Sequence, residues 1–142
     1  MSGDPGRGYT IGELKVGMTA SHEHVVTAQD VEAFAAVSGD HNPVHLDEAY
    51  AKTTRFKGRI AHGILVASYI STVLAAKLPG PGTIYLGQSL TFKAPVRLGD
   101  KVEARVTVSE IVPEKNRVVL KTQCRVGETV VLDGEATVLA PQ

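Results

Sequence analysis

The stretch AHGILVASYISTVLAAKLPGPG, residues 61–82, decides the fold of this chain of 142 residues. Gly63 opens its apolar part, and the alternating prolines and glycines of residues 79–82 close it. Between these limits almost every helical face is apolar or small, which predicts a helix that is buried on all sides. At 1.5 Å per residue, this helix is about 25 Å long.

After this helix the apolar residues recur at every second position, which is typical of β-strands. Four such runs occupy most of residues 84–139, and turn-forming sequences at 98–100, 113–116 and 127–128 separate them. Each run has one apolar face and one polar face. Such strands, joined by short turns, predict an antiparallel sheet.

The part of the chain before the long helix predicts one further strand and one short helix. Residues 18–26 are expected to be extended, and Thr27 with Asp30 resembles a capping box that starts a helix. Gly39 and Pro43 end this helix. We expect residues 1–10 to be a flexible leader.

One apolar helix and one sheet with a single apolar face must cover each other. The predicted fold is therefore α+β, a hot-dog fold in which an antiparallel sheet curls around a long buried central helix. A single such layer leaves sheet edges and part of the helix uncovered, so a homodimer or a higher oligomer is expected.

The composition excludes several classes of protein. Fifteen basic and fifteen acidic residues give a formal net charge of +0, without the basic excess of nucleic-acid-binding proteins. Cys124, the one cysteine, excludes an intrachain disulfide and agrees with a cytoplasmic setting. The apolar run of residues 64–78 is shorter than the roughly 20 residues that span a bilayer, so no membrane association is expected.

The segment SGDHNPVHLD, residues 38–47, concentrates proton-transfer groups around a proline, where we expect neither a regular helix nor a strand. Asp40 and His45 could converge on one water, with the carboxylate accepting its proton and the imidazole acting as a donor. The alternative is structural, because Asp and Asn commonly cap helices and form turns. From spacing alone the structural alternative is slightly favoured.

Four other positions carry polar groups of interest. The backbone N–H of Gly63 would lie unpaired at a helix N-terminus and could bind an oxyanion, with His62 beside it, although taken alone close packing at Gly63 and a loop histidine are the favoured explanations. Gln88 lies in phase with apolar residues and either bonds to loop backbone or lines a pocket. Ser71 either bonds to a carbonyl one turn earlier or contacts substrate.

Two further groups are more simply explained by surface roles. His22 and His24 share a strand face, but no third metal ligand is evident. Several cations could meet phosphate groups, although scattered cations usually only solvate a surface. These cations are Arg55, Lys57, Arg59, Lys77, Lys93 and Arg97.

The segment FAAVSGDHNPVHLDEAYA, residues 34–51, resembles the hydratase-2 motif of the MaoC-like dehydratase family. That motif runs aromatic, spacer, Ser-Gly-Asp-x-Asn-Pro-aliphatic-His, five residues, then Ala, and every constrained position matches. The resemblance continues through residues 59–68 and 84–100. It implies one hot-dog domain over residues 11–142, similar to the short (R)-specific enoyl-CoA hydratases.

The resemblance also implies a reaction and a role for each matching residue. These enzymes add water to trans-2-enoyl-CoA and form (R)-3-hydroxyacyl-CoA, without a cofactor or a metal. Asp40 would activate the water that attacks C3, His45 would deliver a proton to C2, and Asn42 would orient the pair. Gly63 would bind the thioester oxygen, and Ser71 would supply a pocket hydroxyl near Asp40.

Three alternatives to a CoA hydratase are kept. One is the same chemistry in the dehydration direction on an acyl-carrier-protein substrate. Another is a hot-dog thioesterase, which usually has a carboxylate on or beside the central helix, whereas residues 64–78 contain no Asp or Glu. The third is an acyl-thioester-binding subunit without activity, which has no need of both Asp40 and His45.

Overall fold

The structure is a computed structural model that describes residues 6–142. Within this range the chain forms five strands and four α-helices, in the order that the sequence predicts for the longer elements. The elements are β1 (Thr19–Val25), α1 (Ala28–Ser38), α2 (Pro43–Leu46), α3 (Glu48–Lys52), α4 (Gly63–Ala76), β2 (Ile84–Phe92), β3 (Lys101–Val112), β4 (Arg117–Val126) and β5 (Thr129–Leu139).

The five strands form one antiparallel sheet in the spatial order β1-β3-β4-β5-β2. Consecutive strands β3, β4 and β5 occupy the centre, and β1 and β2 form the two edges. The valines at alternate positions of β3 are fully buried on the inner face, as the period-2 pattern predicts. This sheet with α4 packed against it confirms the predicted hot-dog architecture.

The central helix α4 packs one face against the sheet. Its buried residues are Leu65, Val66, Tyr69, Ile70, Val73 and Leu74. In the single chain part of α4 is uncovered, with Ile64 56% exposed and Ser71 also exposed, which agrees with the expectation that a single layer leaves part of the helix open. The reason is geometric, since one five-stranded sheet covers only one side of a helix.

The edge strand β2 lies beside the open face of α4 and is also uncovered. Its apolar residues Ile84, Leu86 and Phe92 are exposed, although their alternation predicts a buried face. A register shift between Tyr85 and Gly87 interrupts the pairing of β2 with β5. The open face of α4 and strand β2 together leave an apolar surface on the single chain.

The segments before β1 and after β5 also contribute to the core, through Leu14 and Ala140. Gly8 and Tyr9 donate backbone hydrogen bonds to the carbonyls of Pro81 and Pro79, so this part of the predicted leader contacts the segment after α4. Residues 1–5 of that leader lie outside the described residues. In the described part of the chain, no helix is both long and apolar enough to cross a membrane.

We expect Gly134→Ala to lower the thermal stability of the fold. Gly134 of β5 pairs with Leu90 of β2, and an added Cβ would overlap the backbone carbonyl of Ser89. Backbone cannot move aside as a flexible side chain can, so a cost of about 1–3 kcal/mol or more is expected. Thermal unfolding followed by circular dichroism measures it.

Gly12→Ala is the matched control, because an added Cβ at Gly12 meets nothing within 4 Å. Equal melting temperatures for the two variants would contradict the close approach of β2 and β5.

Candidate active site

The polar groups of the motif lie in the short segment between α1 and α3, where helix caps end one helix and begin the next. Gly39 ends α1 in the left-handed conformation with φ of 82°. Asn42 then caps α2, its side-chain oxygen accepting from the Val44 N–H at 3.2 Å, with Pro43 in the first turn. The expectation of no regular structure here is therefore wrong for residues 43–46, because this Asn-Pro pair starts a helical turn.

His45 lies in α2 with 8% of its surface exposed, and two main-chain contacts hold it. Its Nδ1 is 2.8 Å from the carbonyl oxygen of Ile60, and Arg59 Nε donates to the His45 carbonyl at 2.7 Å. Because a carbonyl only accepts, Nδ1 carries a proton and Nε2 is the nitrogen left for chemistry. The ring orientation and the tautomer of His45 are thus set by the backbone before α4.

Asp40 is exposed and precedes α2. Its Oδ1 accepts from the backbone N–H of Asn42 at 3.2 Å, and its own N–H donates to Ser38 Oγ at 3.1 Å. Asn42 therefore contacts the carboxylate through its main chain, while its side-chain oxygen caps α2. The carboxylate keeps a free oxygen that can accept a proton.

His62 lies directly beneath both residues and is 2% exposed. Its Nε2 donates to the backbone carbonyl of Asp40 at 3.0 Å, and its ring stacks on that of His45 with centroids 4.0 Å apart. Burial lowers the pKa of His62 below the usual value for histidine. His62 is therefore a neutral core residue of the site, whereas its sequence context alone suggested a loop histidine.

Asp40, His45 and His62 form one compact cluster. They offer a carboxylate oxygen and two imidazole nitrogens that all lie within 4.8 Å of one another. These ligand types can hold a divalent metal, and they also suit proton transfer to and from a single water. The structure therefore brings together the carboxylate and the imidazole that the motif places five residues apart.

A cavity of about 450 Å³ opens beside this cluster. His45 and Gly63 line it together with apolar side chains that include Val66, Val131 and Leu132. Gly63 is the first residue of α4, and no side chain caps this helix at His62. The unpaired N–H groups and the positive end of the helix dipole thus lie at the wall of a cavity that His45 also reaches.

Ser71 and Gln88 lie elsewhere, in a second cavity of about 470 Å³ on the open side of α4. The Gln88 side-chain nitrogen donates to Thr122 Oγ1 and to the Ser89 carbonyl, both at 2.8 Å, and Tyr85 Oη donates to Gln88 Oε1. Ile64 lines both cavities. In the single chain, the structure does not bring these two polar residues into the cavity of His45.

Of the cations that the sequence singles out, two line the cavity of His45 and another bonds to the main chain of β1. Arg55 and Lys93 line the cavity of His45, and Lys93 also pairs with Asp133 at 2.9 Å. Lys77 instead donates to the carbonyl of Ser21.

Of the predicted histidine pair on β1, His24 bonds to a carboxylate of α1. Its Nε2 lies 2.8 Å from Asp30 Oδ2, and this contact lowers the pKa of Asp30. The bond joins the edge strand β1 to the first turn of α1. His24 therefore has a structural partner, and its ring also packs 4.9 Å from that of Tyr69.

Comparison with known proteins gives a consistent group. The family model for the MaoC like domain matches residues 13–131. An (R)-specific enoyl-CoA hydratase of Rhodospirillum rubrum is 54% identical over 91% of this chain and 90% of its own. A 3-hydroxybutyryl-CoA dehydratase of Methylorubrum extorquens is 49% identical over 92% of this chain and 83% of its own.

The fold has the same neighbours. An unliganded R-hydratase of Pseudomonas aeruginosa superposes with a TM-score of 0.91 at 50% identity, covering 96% of this chain and 88% of that one.

We expect Gly63→Ala to impair the site more than the fold. An added Cβ would lie 2.6 Å from Cε1 and 2.8 Å from Cδ1 of Phe92, whose ring is half-exposed and can turn aside. The displaced ring and the new methyl would narrow access to the Gly63 N–H at the cavity wall. Turnover of the substrate proposed below should fall about 10²-fold, the scale of losing one oxyanion donor.

Thermal unfolding of Gly63→Ala should stay close to that of the unsubstituted protein. The double variant Gly63→Ala with Phe92→Ala separates the two causes, because it removes the ring that the methyl displaces. An unchanged rate in Gly63→Ala would argue against a role for this wall of the cavity.

Proposed function

Because the chain belongs to the MaoC-like dehydratase family, we propose that it is an (R)-specific enoyl-CoA hydratase. It adds water across the double bond of trans-2-enoyl-CoA and gives (R)-3-hydroxyacyl-CoA. The reaction is reversible, so the same site can dehydrate the hydroxyacyl thioester, and the chain is a hydro-lyase in either direction. The relative from Methylorubrum extorquens is named for the dehydration.

One observation carries the assignment of the residues. The ligand atoms of Asp40 and His45 lie within 4.8 Å of each other, and His45 shares a cavity wall with the first residue of α4. A thioester carbonyl near the Gly63 N–H would then lie beside the acid and the base. This arrangement supports catalysis by positioned proton transfer and by oxyanion stabilisation.

The proposed hydration balances as two proton transfers around one water. The water oxygen bonds to C3 while one of its protons passes to the free carboxylate oxygen of Asp40. The electrons of the double bond move onto the thioester, whose oxygen the Gly63 N–H stabilises as an enolate. His45 delivers a proton from Nε2 to C2, and proton return from Asp40 to His45 restores the starting state.

The orientation of His45 decides which of its two ring nitrogens can donate a proton to the substrate. With Nδ1–H bonded to the Ile60 carbonyl, Nε2 donates only when the ring carries both protons. Asp40 keeps one carboxylate oxygen free of the bond to Asn42, and this oxygen can accept the proton of the water. A proton-donating imidazole and a proton-accepting carboxylate can therefore coexist at one water.

The cavity suits an acyl thioester. Its inner wall is apolar, and Arg55 and Lys93 lie among its lining residues. We place the acyl group against the apolar wall and the phosphates of CoA near these two cations. Ser71 and Gln88 would line the far part of the acyl site, beyond Ile64.

The same chemistry on another carrier is the second candidate. A mitochondrial 3-hydroxyacyl-[acyl-carrier-protein] dehydratase of Arabidopsis thaliana is 38% identical over 90% of this chain and 78% of its own. A thioesterase is disfavoured because α4 contains no carboxylate that could serve as its base. A thioesterase would release free thiol, whereas a hydratase leaves the thioester intact, so the assay also measures free thiol.

We also propose that the chain works as a homodimer in a reducing compartment such as the cytoplasm. The uncovered apolar side chains of α4 and β2 lie on one side of the molecule, and β2 is an unpaired sheet edge. Cys124 is buried, and burial raises its pKa to about 12, so it has no part in a disulfide or in the reaction.

Light scattering should report a particle of two chains of 15.1 kDa each. Leu86→Lys places a charge on the exposed face of β2 and should shift the particle toward the single chain. Val37→Lys is the control, since Val37 is an apolar residue that is 88% exposed and belongs to α1 rather than to α4 or β2. A monomer with full activity would contradict the proposal.

Asp40→Asn and His45→Gln should each lower hydration of crotonyl-CoA by about 10²–10⁴-fold, the usual contribution of a positioned acid or base. The loss of enoyl absorbance measures the rate, and a thiol reagent confirms that the thioester stays intact. Near-normal turnover in either variant would remove that residue from the mechanism. Release of free thiol by the unsubstituted protein would indicate hydrolysis instead.

A further inference from the structure

His62 contacts all three groups of the proposed site, although it reacts with none of them. Its Nε2 donates to the backbone carbonyl of Asp40, and its ring stacks on His45 at 4.0 Å. Through the next peptide bond it carries Gly63, the proposed oxyanion donor. With 2% of its surface exposed, it is one of the most buried polar side chains of the chain.

The position of His62 is buried, yet it holds a polar ring rather than an apolar one. The ring donates from Nε2, so Nδ1 carries a lone pair, and this buried atom has no hydrogen-bond partner. A buried polar atom without a partner is destabilising, and an apolar ring of similar size avoids that cost. The bond from Nε2 to Asp40 is therefore the feature of histidine that an apolar ring could not replace.

That bond is also the long-range restraint on the segment that carries Asp40. Within residues 6–142, the other hydrogen bonds of residues 39–42 run to residues 35–45 and are local. Among the hydrogen bonds of the described residues, only the one from His62, which immediately precedes α4 and lies 22 residues after Asp40, ties this segment to the start of that helix. Because Gly39 precedes it in the left-handed conformation, local bonds alone leave the direction of the segment open.

We propose that His62 is a positioning residue. It holds the main chain of Asp40 by a hydrogen bond and the ring of His45 by stacking. Because Gly63 is the next residue in the chain, both groups are held at a set distance from the Gly63 N–H. The inference rests on the proposed hydration. His62 transfers no proton in it. It aligns the carboxylate and the imidazole with the oxyanion donor, and the scale of such alignment is about 10²-fold in rate for a displacement of 1 Å.

Burial supports this role, because it lowers the pKa of His62 and keeps the ring neutral, with its proton on Nε2. The titratable groups around it are Asp40, His41 and His45 from the segment before it, and Phe34 of α1 packs on the ring at 4.8 Å. A second proton would place a charge in this apolar contact and against His45. A neutral ring is thus a stable donor to the Asp40 carbonyl.

Two substitutions separate the donor from the ring. His62→Gln can place an amide N–H near the position of Nε2 but loses the ring, whereas His62→Phe keeps a stacking ring and loses the donor. We expect His62→Phe to lower kcat on crotonyl-CoA about 10²-fold with little change in KM. We expect kcat of His62→Gln to be at least tenfold higher than kcat of His62→Phe.

His41→Gln is the matched control in the same segment. His41 is exposed, and its Nδ1 bonds only to the nearby Gly39 carbonyl at 3.0 Å. It should turn over like the unsubstituted protein. Melting temperatures of all four proteins show whether a variant has lost its fold. If His62→Phe has unfolded, it is replaced by His62→Met, which matches His62→Gln in length and in lacking the ring but has no donor.

A readout independent of turnover separates this inference from the proposed function. The N–H of Asn42 donates to the Asp40 carboxylate, so its hydrogen exchange reports on the geometry of this segment. Exchange should be faster in His62→Phe than in the unsubstituted protein, and close to normal in His62→Gln. If the unsubstituted protein hydrates no enoyl thioester, the function is wrong, and exchange alone then tests the restraint.

Three results would overturn the inference. Normal kcat and normal exchange in His62→Phe would show that the bond restrains nothing. Equal loss in His62→Phe and His62→Gln, with both folded, would indicate that the imidazole itself reacts. Loss in His62→Gln with normal kcat in His62→Phe would assign the effect to the ring rather than to the donor.

Discussion

The burial of α4 against the inner face of the sheet is the constraint on which the rest of the structure depends. The helix contributes six buried side chains to the core, and alternate residues of β3 and β4 cover them. Burying such side chains stabilises a fold by roughly 1.5–3 kcal/mol each. The contact also positions the N-terminus of α4, because Leu65 and Val66 of its first turn are buried.

The candidate site is a consequence of that fixed end. Ala61 donates a backbone hydrogen bond to Val96, which anchors the approach to α4, and Ile60 donates to Val44, which anchors α2 to the same approach. His45 and Gly63 come together because both are tied to this short stretch before the helix. His45 and the helix N-terminus are therefore placed by contacts with residues 59–61, and the bond from His62 ties the segment of Asp40 to them.

The open side of α4 carries both the second cavity and the surface proposed for the dimer. The single sheet leaves Ile64 and the apolar residues of β2 uncovered, and the second cavity, with Ser71 and Gln88, lies on this side. A surface that is incomplete in one chain is typical of an interface. The separation of Ser71 from Asp40 is therefore seen in one chain, which is one half of the proposed dimer.

The sequence by itself determined the order of the long elements, because the change of apolar period from 3.6 to 2 reflects which face of each element is buried. It also determined the capping of α1 by Thr27 and Asp30, a contact between residues three apart. The motif placed Asp40 and His45 together, since Pro43 and the cap by Asn42 shape their segment locally.

Tertiary structure alone decided which distant groups meet. Nothing near His62 in the chain indicates that its ring stacks on His45 and bonds to Asp40, since those contacts span 17 and 22 residues. Nor could an apolar helix show which of its faces its own sheet leaves uncovered. Such contacts depend on how the helix and the sheet are oriented in space, and the periodicity of either element carries no information about that orientation.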